Sequence, residues 1–201
     1  IDVFNADRDI HSETAARLFP LEDADYARRK AKAVNFGIVY GISDFGLAEQ
    51  LDIAVGEARS IIHAFYENYP EIKRYRETII NDVQTNGFVT TLTGRKRYLP
   101  QINDANYQTR EFAKRAAMNA PIQGSAADLI KLAMIKVDAF LTNGNYKTKL
   151  ILQVHDELIF ALDPNEEEII SKLVDIMENI FALPLKLKVG VSVGANWFEA
   201  S

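Results

Sequence analysis

Polar and apolar positions keep a helical period over most of the chain and then switch to strict alternation. Asp23 or Asp25 caps a predicted helix that runs to about Tyr40, and Gly41 closes it. Short helices are predicted at 44–51 and 55–68. Pro70, preset for a first helical turn, opens another that ends near Gly87. Residues 88–92 and 95–99, divided by Thr93-Gly94, read as a small hairpin with a cationic tip. Helices are predicted near 104–119 and 121–142, with Pro121 marking a break or kink between them.

Beyond residue 148 the period becomes two. Residues 149–154 and 158–162 read as strands joined at His155-Asp156-Glu157. Residues 165–182 read as an acidic amphipathic helix, and 185–193 alternate as a strand with one face exposed. A helical lobe followed by a small antiparallel sheet with flanking helices is an α+β arrangement.

One helix carries a chemical pattern. Arg28, Lys32, Phe36 and Tyr40 recur every four residues. Each such step drifts by about 40°, so the four residues cover an arc of about 120° along about 18 Å of one face. The face runs cation, cation, ring, ring. A planar Arg fork and a Lys point charge suit the oxygens of a triphosphate. Rings suit a base or sugar. The same spacing also fits a surface helix with its cations in solvent and its rings in a core.

Two further groups stand out. Asp156 sits at the turn between two apolar strands, where a carboxylate is costly unless paired or bound to a metal. Mg²⁺ takes one or two carboxylates plus phosphate oxygens and water, so Asp156 is the first choice of ligand. Glu157 comes second, because neighbouring side chains on an extended chain point apart. An ordinary polar hairpin turn is the alternative. On the long helical stretch, Arg115, Asn119 and Gln123 are spaced by four. Their donors suit minor-groove acceptors, which every base pair offers in similar places. Capping around Pro121 is the alternative there.

Composition narrows the classes. At 201 residues and 48% hydrophobic, the chain can bury a core as one domain or two small ones. It has no cysteine, which excludes disulfides and Cys-based zinc sites and agrees with a reducing cytoplasm. No apolar run is long enough to cross a bilayer. The net charge of −5 argues against a uniformly basic nucleic-acid binder. Residues 72–115, however, hold nine Lys/Arg against four Asp/Glu, while 163–201 hold three against seven. A basic middle and an acidic tail suit a protein that meets phosphates on one surface only.

The sequence resembles family A DNA polymerases, the bacterial DNA polymerase I group. Arg28-x3-Lys32-x3-Phe36-Gly37-x2-Tyr40-Gly41 resembles motif B of the family's fingers helix. Asp9-Ile10-His11-Ser12-Glu13-Thr14-Ala15 resembles the Asp-Ile-His-x2-Thr-Ala segment before it. Residues 119–128 resemble the primer–template helix, and Gln153-Val154-His155-Asp156-Glu157 resembles motif C. All four stand in family order across nearly the whole chain.

The resemblance implies fingers over 1–103 and the C-terminal part of the palm over 104–201. It implies transfer of a nucleotidyl group from a dNTP to a primer 3′-OH, in replication and repair in a bacterial cytoplasm. His11, Arg28, Lys32, Phe36 and Tyr40 would hold the nucleotide. Arg115, Asn119, Gln123 and His155 would touch primer–template DNA. Asp156 and Lys32 would be catalytic, with Asp156 and Glu157 holding part of a two-Mg²⁺ site. Phe36 occupies the position where the family has Phe or Tyr, Phe being associated with rejection of dideoxynucleotides. Motif A, which carries the other metal-binding aspartate, is not found, nor is a thumb. The expectation is therefore a C-terminal piece of a longer polymerase. Taken alone, this piece is expected to be inactive and prone to self-association. A non-catalytic DNA- or nucleotide-binding module is the other functional reading.

Overall fold

The computed structural model describes residues 2–200. They form two compact units, residues 2–125 and 126–200. The division falls inside the longest helix, later in the chain than residue 103.

The first unit holds helices α1 (Asp2–Asn5), α2 (Ile10–Leu18), α3 (Ala24–Val39), α4 (Asp44–Leu51), α5 (Val55–Asn68) and α6 (Pro70–Asn86). Capping side chains set the starts. Asp23 accepts from the Tyr26 N–H at 3.1 Å, and Ser43 from that of Gly46 at 3.1 Å. Each bond satisfies a donor that the first helical turn leaves orphaned. Left-handed glycines close two ends, Gly41 after α3 (φ 71°) and Gly87 after α6 (φ 78°). Ala27, Ala31, Val34 and Ile38 form the buried stripe of α3. They pack with Ala15 and Phe19 from the α2 end, Leu47 of α4, and Ile61 and Phe65 of α5. Helix α2 was not foreseen from its apolar spacing; its signal is Asp9, whose carboxylate caps it.

Strands β1 (Phe88–Thr90) and β2 (Lys96–Tyr98) pair antiparallel, with Val89 opposite Arg97. The predicted hairpin is therefore present. It rests on helix α7 (Tyr107–Asn143): the Leu92 N–H donates to Ser125 Oγ at 2.9 Å and Arg95 to the Gly124 carbonyl at 3.0 Å. A Cβ on Gly124 would lie 2.6 Å from Thr91 Cγ2, so only glycine admits this approach. Val83, Val89, Leu99, Ile102, Ala113 and Ala117 form the core beneath.

Three sequence expectations need correction. Of the expected break or kink at Pro121, the break does not occur: α7 runs through it for 37 residues. An interior proline forfeits one ladder bond and costs about 3 kcal/mol. Buried residues on both sides, Ala113, Ala117 and Ala120 before it and Val137 and Leu141 after, offset that loss. The acidic helix is shorter than 165–182: a 3₁₀ turn at Glu167–Ile169 leads into α8 (Ile170–Glu178). Residues 185–193 form no strand. Alternation defines a strand's two faces but supplies no partner, and among the described residues of this unit only β3 (Lys149–Val154) and β4 (Glu157–Ala161) pair.

The second unit has its core at Val137, Leu141, Ile169 and Leu173. The Glu166 carboxylate accepts from the Lys147 and Thr148 N–H groups, both at 2.9 Å, which ties the α7–β3 connection to the start of the 3₁₀ turn. Val154 pairs with Glu157, so His155 and Asp156 are the whole of the β3–β4 turn.

Candidate nucleotide and DNA site

Helix α3 turns two different faces outward and inward. Its apolar stripe is buried, while Phe36 and Tyr40 are 48% and 51% exposed. The rings therefore are not core residues, and the stripe of cations and rings stands clear of the packing. Between the two outward cations, Lys30 does something else. Its ammonium is buried, 2.7 Å from a Glu22 carboxylate oxygen and 4.4 Å from the Phe19 ring centre. It holds the α2–α3 connection to the helix.

Lys32 is exposed and has no protein partner among the described residues. Arg28 is oriented from one side only. Its Nε donates to Asp9 Oδ2 at 2.8 Å, which leaves both Nη groups without a protein partner among the described residues. The same oxygen accepts from the Ser12 N–H at 2.9 Å and Ser12 Oγ at 2.7 Å. These donors, those of Ser12 first and Arg28 next, hold the Asp9 carboxyl well below the usual carboxylate range.

His11 arrives on the first turn of α2. Its ring centre lies 5.6 Å from that of Phe36, tilted by 40°. Its Nδ1 is 3.0 Å from Asn35 Nδ2. Thus His11 and Phe36, far apart in sequence, meet as one surface.

The far end of that surface opens into a cavity of about 500 Å³, lined by Phe36, Tyr40, Gly41, Ser43, Gln50 and Arg115 among others. Gly41 is required there twice over. Its φ is 71°, and a Cβ would lie 2.8 Å from Arg115 Cγ. Arg115 therefore lays its stem across the end of α3 and keeps its guanidinium without a protein partner among the described residues. Asn119 donates back to the Arg115 carbonyl at 3.1 Å. Its Oδ1 is buried and has no hydrogen-bond partner among the described residues. Gln123 is exposed.

His155, Asp156 and Glu157 belong to the second unit and are exposed. His155 takes φ 52°, and its carbonyl accepts from Gln153 Nε2. Asp156 is itself exposed, so its carboxylate is not enclosed by apolar walls as expected. Asp156 and Glu157 are hard oxygen donors of the kind Mg²⁺ takes. No group of three or more His, Cys, Asp or Glu residues able to hold a metal occurs among the described residues.

A family model for DNA polymerase family A matches residues 1–199. The chain belongs to that family. It is 48% identical over 205 residues to DNA polymerase I of Lactococcus lactis subsp. cremoris (strain MG1363), covering 100% of this chain and 23% of that protein. It is 47% identical over 204 residues to DNA polymerase I of Bacillus caldotenax, again covering 100% and 23%. Among solved structures, the POL domain of Pol1 from M. smegmatis in complex with DNA primer-template and dNTP matches with a TM-score of 0.92 at 38% identity. That match covers 99% of this chain and 36% of the other. The chain spans about a quarter of the length of the curated relatives it matches.

Within this family A chain, sequence reasoning missed Asp9, Thr14, Asn35 and Tyr69 as parts of the site. Asp9 enters the sequence pattern only as a motif residue, although an Asp immediately before a helical run is a cap signal. Asn35 also had a signal. It lies four residues after the buried Ala31, and a polar amide beside a buried stripe calls for a partner. Thr14 and Tyr69 had none, since a contact between residues so distant leaves no local trace.

Proposed function

We propose that the chain is the nucleotide-binding and part of the catalytic portion of a template-directed DNA polymerase acting in bacterial replication and repair. In this reading, residues 1–103 are fingers and 104–201 the C-terminal part of the palm. The observation that carries it is the α3 face: two outward cations and two half-exposed rings, with His11 brought against Phe36.

Arg28 and Lys32 bind the triphosphate, Arg28 through the Nη groups that Asp9 leaves free. His11 joins them. Phe36 and Tyr40 take the sugar and base. Arg115, Asn119, Gln123 and His155 contact primer–template DNA. Asp156, with Glu157, would hold part of a Mg²⁺ site; the metal would supply neutralisation of developing charge on the phosphates and activation of the primer hydroxyl. Lys32 also serves the chemical step as a fixed charge beside the phosphates. No helix among the described residues is long and apolar enough to cross a membrane, and the reading places the protein in the cytoplasm.

The test is Lys32→Ala in the longer polymerase. One charge-assisted phosphate contact is worth about 1.5–3 kcal/mol, so kcat/KM for dNTP is expected to fall by about 10- to 150-fold. Lys32 has no protein partner among the described residues, so the melting temperature should stay put. Wild-type kcat/KM in both Lys32→Ala and Arg28→Ala would make the stripe a structural feature.

A further inference from the structure

Thr14 is fully buried, yet its hydroxyl meets three polar atoms. Its Oγ1 lies 2.9 Å from the Ile10 carbonyl, 3.2 Å from Asn35 Oδ1 and 3.0 Å from the Tyr69 hydroxyl. A hydroxyl has one proton to give and lone pairs to accept with. Thr14 shares its proton between two oxygens that only accept, and the Tyr69 hydroxyl donates to Thr14. The Tyr69 ring is fixed in turn, 4.8 Å from the ring of buried Phe65. The chain Tyr69–Thr14–Asn35 therefore turns Asn35 Oδ1 inward and its Nδ2 toward His11.

We propose that Asn35 is a positioning residue that sets the tautomer of His11. Its amide N–H occupies His11 Nδ1, so the neutral imidazole carries its proton on Nε2. Nε2 has no protein partner among the described residues, and the Phe36 ring packed against the imidazole restricts its rotation. His11 then offers an N–H to a phosphate oxygen of a nucleoside triphosphate without having to be protonated. The other tautomer would turn a lone pair toward the anion. This rests on the reading of His11 as a triphosphate contact. The orienting part stands on the Asn35 geometry alone.

The experiment has two arms. The first is NMR of the ¹⁵N-labelled 201-residue chain at about pH 8, where an ordinary imidazole is neutral. The expected result is a proton on His11 Nε2 and a scalar coupling across the hydrogen bond from Asn35 Nδ2 to His11 Nδ1. In Asn35→Asp, which keeps the shape but can only accept, Nδ1 becomes protonated. A wild-type proton on Nδ1, or an unprotonated Nδ1 in Asn35→Asp, overturns the proposal. If that variant does not fold, the wild-type coupling decides. The second arm is steady-state kinetics of Asn35→Leu in the longer polymerase. There the KM for dNTP should rise about fivefold while kcat stays within about twofold, the scale of one lost hydrogen bond. The expected tautomer with an unchanged KM would remove His11 from the triphosphate and leave Asn35's hold on it standing.

Discussion

Lys30 and Lys32 are separated by a single alanine, and burial alone divides their work. Lys30 is spent on Glu22 and Phe19 inside the unit, whereas Lys32 keeps its charge outward. Phe36 makes the same point for rings. It packs against His11 on one side and leaves about half its surface open. In the longer polymerase, Phe36→Tyr is expected to relax discrimination against dideoxynucleotides, because the added hydroxyl replaces a contact that the missing 3′-oxygen no longer makes. A chain-termination assay with mixed dNTP and ddNTP reads this directly. Unchanged termination would take Phe36 out of the sugar site.

At the scale of elements, helix ends carry the site, and they can be tested separately from the core. Gly41→Ala forces a Cβ onto a residue at φ 71° and into Arg115 Cγ. A left-handed non-glycine residue costs about 1–2 kcal/mol. Gly87, at φ 78° with nothing near its Cβ position, is the control. Gly41→Ala should lose at least as much stability as Gly87→Ala, the Arg115 contact adding to the shared backbone cost, and only Gly41→Ala should weaken primer–template affinity in the longer polymerase. Helix α2 is anchored by Asp9, whose folded carboxyl ionises at lower pH than the unfolded one. Its contribution to stability is therefore complete above the usual carboxylate value near 4 and fades as pH falls below it. Asn also caps helices but cannot pair with Arg28, so Asp9→Asn should melt lower than wild type at pH 7. The gap should begin to narrow as pH drops below about 4 and close only through the lower folded value, read by thermal melts from neutral pH into strong acid. The helices from α3 to α6 and both hairpins were legible because caps, glycines and period are local signals. The uninterrupted α7 was not, since packing on both sides of Pro121 outweighs a local rule. The α3 stripe was legible as spacing. Its support by Asp9, Thr14, Asn35 and Tyr69 was not, because those contacts join segments far apart in the chain.

For the molecule as a whole, ligand number is the quantity expected to limit what the 201-residue chain does by itself. Two-metal phosphoryl transfer needs carboxylates from more than one place to hold ions about 3.5–4 Å apart. Here Asp156 of the turn and Glu157, the first residue of β4, are neighbours at one end of one hairpin, and no cluster of three ligating residues occurs among the described residues. The β3 strand presents Ile151 and Leu152 outward, and Val191, Val193 and Phe198 are also 53%, 63% and 89% exposed. Exposed apolar strand residues beside unpaired backbone groups invite edge-to-edge association. The purified chain is therefore expected to give no Mg²⁺-dependent primer extension and to sediment partly as dimers or larger species at micromolar concentration. Any DNA binding it shows should weaken steeply with salt, since it rests on Lys and Arg contacts to phosphate. Extension assays with excess chain over primer, run beside sedimentation velocity, test both halves. Robust extension by a monomeric chain would mean that the Asp156 turn suffices for the metal chemistry, and the ligand-count argument would fall.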